Sequence, residues 1–79
     1  MSDLIYPKKG EPVRAWQHTG NPNDRPMWVR GFTFLIEGEI FIERRSGSQL
    51  VRPTEWIIRG LDQHDPEWIT DEMRRRDYE

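Results

Sequence analysis

The groups in this 79-residue chain that could do acid–base or metal chemistry are two histidines, His18 and His64, and fourteen carboxylates. His64 lies among Asp62, Asp65 and Glu67, and a carboxylate–imidazole set of that kind can hold a divalent metal. The spacing fits no helix-borne ligand motif, and Asp65-Pro66 reads better as a turn in a polar loop. Glu37, Glu39 and Glu43 offer a second chemistry. Glu39 and Glu43 share one face of an alternating segment, but acid–base work would need a cleft that raises one of their pKa values. A chain this short has little wall from which to build one. The pair therefore reads as the wet face of a hairpin, which also opposes edge-to-edge aggregation. Ser46 and Ser48 flank Gly47 in a turn without a G-x-S-x-G elbow, and no glycine-rich phosphate loop occurs. These residues point to no enzyme, no catalytic or metal site and no cofactor.

Recognition chemistry is better represented. Arg44, Arg45, Arg52 and Arg59 lie on or beside expected strands, and Arg74, Arg75 and Arg76 form a run. Trp16, Trp28, Phe41 or Trp68 could stack nucleic-acid bases if exposed. Acidic residues (Glu43, Glu55, Asp71, Glu72 and Asp77) interleave with each basic cluster, so a mixed-charge surface competes with nucleic-acid binding. The net charge of −2 gives neither a global basic field nor a strongly acidic mimic of DNA. Basic groups are in excess over residues 1–36 and acidic ones over 37–79, which predicts an acidic face on the hairpin. Four tryptophans exceed what so small a core should need, and surplus aromatics beside arginines are the composition of interface hot spots. Phe41, on the glutamate face, and Trp68, in a polar segment, are the candidate anchors. Glu39, Glu43, Arg44, Arg45, Arg74 and Arg75 are the candidate polar partners. The competing reading is that all four indoles fill the core.

The elements that must position these groups centre on residues 37–60. Ile40 and Ile42 alternate with Glu39, Phe41 and Glu43, the period of a strand with one covered face. Ser46-Gly47-Ser48 is a turn, and Gln49 to Arg52 can return antiparallel. Pro53-Thr54-Glu55 turns the chain again, and a threonine in second place predicts a type I turn, because threonine tolerates positive φ poorly. Trp56-Ile57-Ile58 is an apolar run too short for a helix, hence a strand covered on both faces. Residues 13–18 form an earlier strand, 19–26 a loop, and Phe32, Phe34 and Ile36 mark a strand with both faces occupied. Thr70 can cap a short helix with Asp71 and Glu72 in its first turn and arginines in its last. The fold class is mainly β (α+β): four to five antiparallel strands in a small bent sheet or partial barrel, with a short C-terminal helix. Residues 1–12 read as an extended lead-in, and 13–79 as one domain. The expected core is Val13, Ala15, Phe32, Phe34, Ile36, Ile40, Ile42, Leu50, Val51, Trp56 and Ile58, joined by Trp16, Trp28 and Met73. The absence of cysteine excludes disulfides and fits a reducing cytoplasm. No run is apolar enough to act as a secretory h-region or a membrane span.

Val13-Arg14-Ala15-Trp16-Gln17-His18-Thr19-Gly20, then Pro53 to Gly60 (P-T-E-W-I-I-R-G), then Asp77-Tyr78-Glu79 resemble a group of small tailed-phage and prophage proteins. Their pattern is V-x-A-x-Q-W-T-G, then P-G-D-W-I-I-x-G, then a terminal Y-E. This chain departs from it at Thr54 and Glu55 and at Glu67 to Thr70. The resemblance implies a phage origin and action in the bacterial cytoplasm. It implies by analogy a protein, monomeric or homodimeric, that binds and inhibits a host complex such as a CRISPR interference complex. A nucleic-acid-binding accessory protein and a virion or assembly component are the alternatives.

Overall fold

The computed structural model describes residues 3–8, 10–61 and 65–78. In chain order the elements are β1 (Asp3–Ile5), β2 (Val13–Gln17), a 3-10 turn (Pro22–Asp24), α1 (Met27–Arg30), β3 (Thr33–Ile36), β4 (Glu39–Arg44), β5 (Gly47–Val51), β6 (Trp56–Gly60), β7 (Glu67–Ile69) and α2 (Asp71–Asp77). The mainly-β class with a short C-terminal helix holds. The strands divide into two antiparallel sheets, β1-β2-β6-β7 and β3-β4-β5, with no closed barrel.

The additional strands come from segments too short to show alternation. The expected lead-in is extended, but it is part of the sheet: β1 pairs with β2 from Asp3↔Ala15 to Ile5↔Val13, and Ile5 is buried. Pro7 bridges Tyr78, and the Lys8 N–H donates to the Asp77 carbonyl at 3.0 Å. At the other edge β7 pairs with β6, Ile57 opposite Trp68.

Strand β6 is the shared wall of two cores, because alternation sends successive side chains to opposite faces. Ile57 joins Trp16, Val29, Ile40, Ile42 and Val51 between the sheets. Ile58 joins Ile5, Ala15 and Ile69 on the far face, where Met73 of α2, Trp56 and Tyr78 pack against them. The molecule is thus three layers deep: three-stranded sheet, four-stranded sheet, helix. The covered W-I-I strand and the inward Ile40 and Ile42 are where the sequence puts them. Val29, fully buried from α1, belongs to the core although its short helix has no legible period.

Phe32, Phe34, Ile36 and Leu50 are not core residues. Phe32, Phe34 and Leu50 are half-buried and Ile36 is 51% exposed. Alternation correctly puts Phe34 and Ile36 on one face of β3, but that face is the outer one, opposite Phe41 and Glu39. The Pro53 turn also differs. Thr54 has φ +76°, and the Glu55 N–H donates to the Arg52 carbonyl at 3.0 Å, so Arg52–Glu55 is a type II turn. The docking of this turn on the end of β2 overrides threonine's preference: the Thr54 N–H donates to the His18 carbonyl, the His18 N–H to the Glu55 carbonyl, and Gln17 Nε2 to the Thr54 carbonyl, at 2.9–3.0 Å.

Candidate binding face

The outer face of the three-stranded sheet is set by one tight turn. Glu37 and Gly38 both have positive φ (52° and 79°), the geometry of a type I′ hairpin whose twist matches its strands. That turn pairs Ile36 with Glu39 and hence Phe34 with Phe41. The adjoining hairpin pairs Phe41 with Leu50. Phe34, Phe41 and Leu50 therefore line up across all three strands on the side away from the core. The two phenyl rings stack with centroids 5.6 Å apart and planes 13° from parallel. Glu39 and Glu43 stand exposed on this same face on either side of Phe41, with exposed Glu37 at the turn. The arrangement is an apolar centre with an acidic margin.

The expected anchors and charges fall into separate places. Phe41, Glu39 and Glu43 come together as described. Arg44 alternates to the other face, half-buried, and its Nε has no hydrogen-bond partner among the described residues. Arg45 sits at the β4–β5 turn and pairs with Asp65 at 3.2 Å, an exposed contact of little energetic weight. Trp68 is half-buried against the core between the sheets, and its Nε1–H donates to Glu55 Oε1 at 3.0 Å. Arg74 and Arg75 lie on α2, the opposite outer layer. The Arg74 guanidinium sits 5.1 Å from the centroid of the Trp56 ring, and Arg75 pairs with Asp71 at 3.0 Å. Phe34, Ile36 and Leu50 are the members of the face that sequence reasoning missed. Cross-strand register would have found them, through the Glu37-Gly38 turn.

Beside this face His18, Gly20, Gly38, Glu39, Leu50, Arg52 and their neighbours line a pocket of about 180 Å³. His18 is buried and stacked on Trp16 at 5.6 Å. Its Nδ1 accepts the Gly20 N–H at 2.9 Å, so the neutral ring carries its proton on Nε2. Burial holds the imidazole pKa below its ordinary value, outweighing the Glu55 carboxylate, which pulls the other way. Of the expected metal-loop residues, Asp62 and His64 lie outside the described residues. Among the described residues no three His, Cys, Asp or Glu side chains gather as metal ligands would, and no helix is long and apolar enough to cross a membrane. Comparison with protein-family models, curated proteins and solved structures finds no match.

Proposed function

We propose that this protein works by binding another protein, through the outer face of its three-stranded sheet, and that it thereby inhibits a host complex. The observation that carries the reading is the Phe34–Phe41 stack, held on the outside of the fold between Glu39 and Glu43. Rigid aromatic rings in a polar rim are the usual anchors of a protein interface. The acidic margin favours a partner whose apolar contact area is ringed by lysine and arginine. The same acids repel phosphate, and Arg45, Arg75 and Arg76 each sit within 3.2 Å of a carboxylate. Both facts favour protein over nucleic acid as the target. A phage source, and a CRISPR interference complex as the concrete target, rest on the resemblance of residues 13–20 and 53–60 to phage proteins.

The test is phage plating on a host with active CRISPR interference, alongside co-elution of the purified chain with the purified interference complex. The wild-type chain restores plating and co-elutes. The charge-reversed variant Glu39→Lys/Glu43→Lys does neither, while its melting temperature stays within a few degrees of wild type. Failure of the wild type in both assays removes the target. Undiminished activity of the charge-reversed variant removes the face.

A further inference from the structure

We propose that β3 is an unprotected sheet edge that pairs antiparallel with β3 of a second copy of this chain, in a register centred on Phe34. This dimer is argued from the main-chain groups of the sheet edge and does not rest on the binding reading above, although Phe34 belongs to both surfaces.

The phase of the β3–β4 ladder shows which groups the edge presents. The Glu37-Gly38 turn makes Ile36 and Glu39 a hydrogen-bonded pair, and antiparallel pairs alternate. Phe34 with Phe41 is the next such pair, and the Glu43 N–H donates to the Phe32 carbonyl at 2.8 Å in the same phase. The main-chain groups of Phe32, Phe34 and Ile36 thus face β4. Those of Thr33 and Leu35 face away from it, and among the described residues no other main-chain hydrogen bond reaches them.

The other edges are short or partly occupied. On β5 the Gln49 side chain donates to the Leu50 carbonyl at 3.0 Å, and the next N–H, that of Arg52, is taken by Glu55 Oε1 at 2.7 Å. Strands β1 and β7 have three residues each; the chain after β1 bridges to Tyr78, and β7 runs straight to the cap of α2. Strand β3 reads Thr-Phe-Leu-Ile, with no charge and no proline of its own, the devices that usually protect an edge. The neighbouring Arg25 guanidinium donates to the Thr33 hydroxyl at 2.7 Å and, among the described residues, to none of the strand's main-chain groups. Leu35 is 42% and Ile36 51% exposed beside it.

The edge is complementary to itself. Centred on Phe34, a two-fold pairing lets the Thr33 N–H donate to the partner's Leu35 carbonyl and the Leu35 N–H to the partner's Thr33 carbonyl, with the same bonds returned, as an isologous interface requires. Phe34 falls opposite the partner's Phe34 in a close, non-hydrogen-bonded pair, which continues the Phe41–Phe34 stack into the second copy. Ile36 falls opposite the partner's Phe32. Beyond these positions the chain leaves the strand, into the Glu37-Gly38 turn at one end and α1 at the other, so the seam is confined to residues 32–36 of each copy.

The chain has no cysteine, so a single introduced thiol reports the register. Facing Cα atoms in such a pair stand about 4.5 Å apart, within disulfide reach. Phe34→Cys forms a covalent dimer under mild oxidation, and Ile36→Cys, which faces a different residue across the seam, does so at least tenfold more slowly. Sedimentation of the untagged wild-type chain shows a concentration-dependent dimer. Leu35→Pro shifts it to monomer, because proline there deletes an edge donor and no β3–β4 hydrogen bond; Leu35→Lys does the same through charge if the proline variant does not fold. A wild-type chain that stays monomeric up to millimolar concentration overturns the proposal and leaves the edge to a strand from another protein. Equal cross-linking at positions 34 and 36 overturns the register.

Discussion

The indole of Trp68 donates to Glu55 Oε1 at 3.0 Å, and the same oxygen accepts the Arg52 N–H at 2.7 Å. One carboxylate thus ties the edge strand β7 to the turn between β5 and β6. Trp68 is a structural ring before it is anything else. Trp68→Phe keeps most of the ring and loses the donor, at about 1 kcal/mol. Trp68→Ala loses the packing too, at about 3 kcal/mol. Glu55→Ala leaves the indole and the Arg52 N–H without their acceptor, at about 2 kcal/mol. Denaturant unfolding measures all three. A Trp68→Ala chain with wild-type stability would reassign this ring to partner binding alone.

Thr54 at φ +76° is a β-branched residue in the left-handed region, where such side chains are strained by about 1–3 kcal/mol. The hydrogen bonds that hold the turn use main-chain groups of residues 52, 54 and 55 and not the Thr54 side chain, and survive any substitution at 54 that keeps the N–H. Thr54→Gly relieves the strain and gives back part of it in unfolded-chain entropy. The expected gain is about 1 kcal/mol, read as a raised melting temperature. A lower melting temperature would mean that the threonine side chain makes up for its backbone.

Thr54 marks where local preference stops being a guide. Threonine's aversion to positive φ argues for a type I turn. Contacts from Gln17 and His18, distant in sequence, impose type II. The same division runs through the fold. Ile40 and Ile42, Trp56 to Ile58, and the Thr70 cap were legible because period or capping chemistry is local. Strands β1 and β7 were not, since three residues cannot display a period. Phe34 and Ile36 show a subtler limit: alternation places them on one face but cannot say whether that face meets core or water. That depends on the register with β4, fixed by Glu37 taking a positive φ beside Gly38. The candidate face was half legible for the same reason. Phe41 and its glutamates share a strand, whereas Phe34 and Leu50 join them only through pairing.

Helix α2 depends on contacts at its first turn. Thr70 Oγ1 accepts the Met73 N–H at 3.1 Å. Asp71 Oδ1 accepts the Trp56 indole N–H at 3.0 Å while Oδ2 pairs with Arg75. A seven-residue helix is not stable alone, so its cap and docking decide whether it forms. Thr70→Ala is expected to lower stability by about 1 kcal/mol, and Thr70→Ser to leave it nearly unchanged. Asp71→Ala removes the partner of a half-buried indole and is expected to cost about 1–2 kcal/mol. Helical circular dichroism and hydrogen exchange over residues 71–77 are the readouts. Equal stability of the Ala and Ser variants at position 70 would show that packing alone holds the helix.

His18 makes the fold sensitive to acid. Its ring is buried and stacked on Trp16, and Nδ1 accepts a main-chain N–H, a role that a protonated ring cannot fill. Burial lowers its pKa in the folded state, against a weaker opposing pull from Glu55. Glu39 and Arg52 line the same pocket. As pH falls below the ordinary imidazole value of about 6.5, the unfolded chain takes up a proton that the folded chain resists. The unfolded state then binds more protons, so stability declines with acidification through that window and levels off only below the folded-state value. His18→Asn keeps an acceptor near the place of Nδ1 and cannot titrate. Unfolding free energies measured between pH 7 and pH 5 should fall more steeply for the wild type than for His18→Asn. Equal slopes would mean that the Gly20 contact breaks without cost and that acid sensitivity lies elsewhere in the chain.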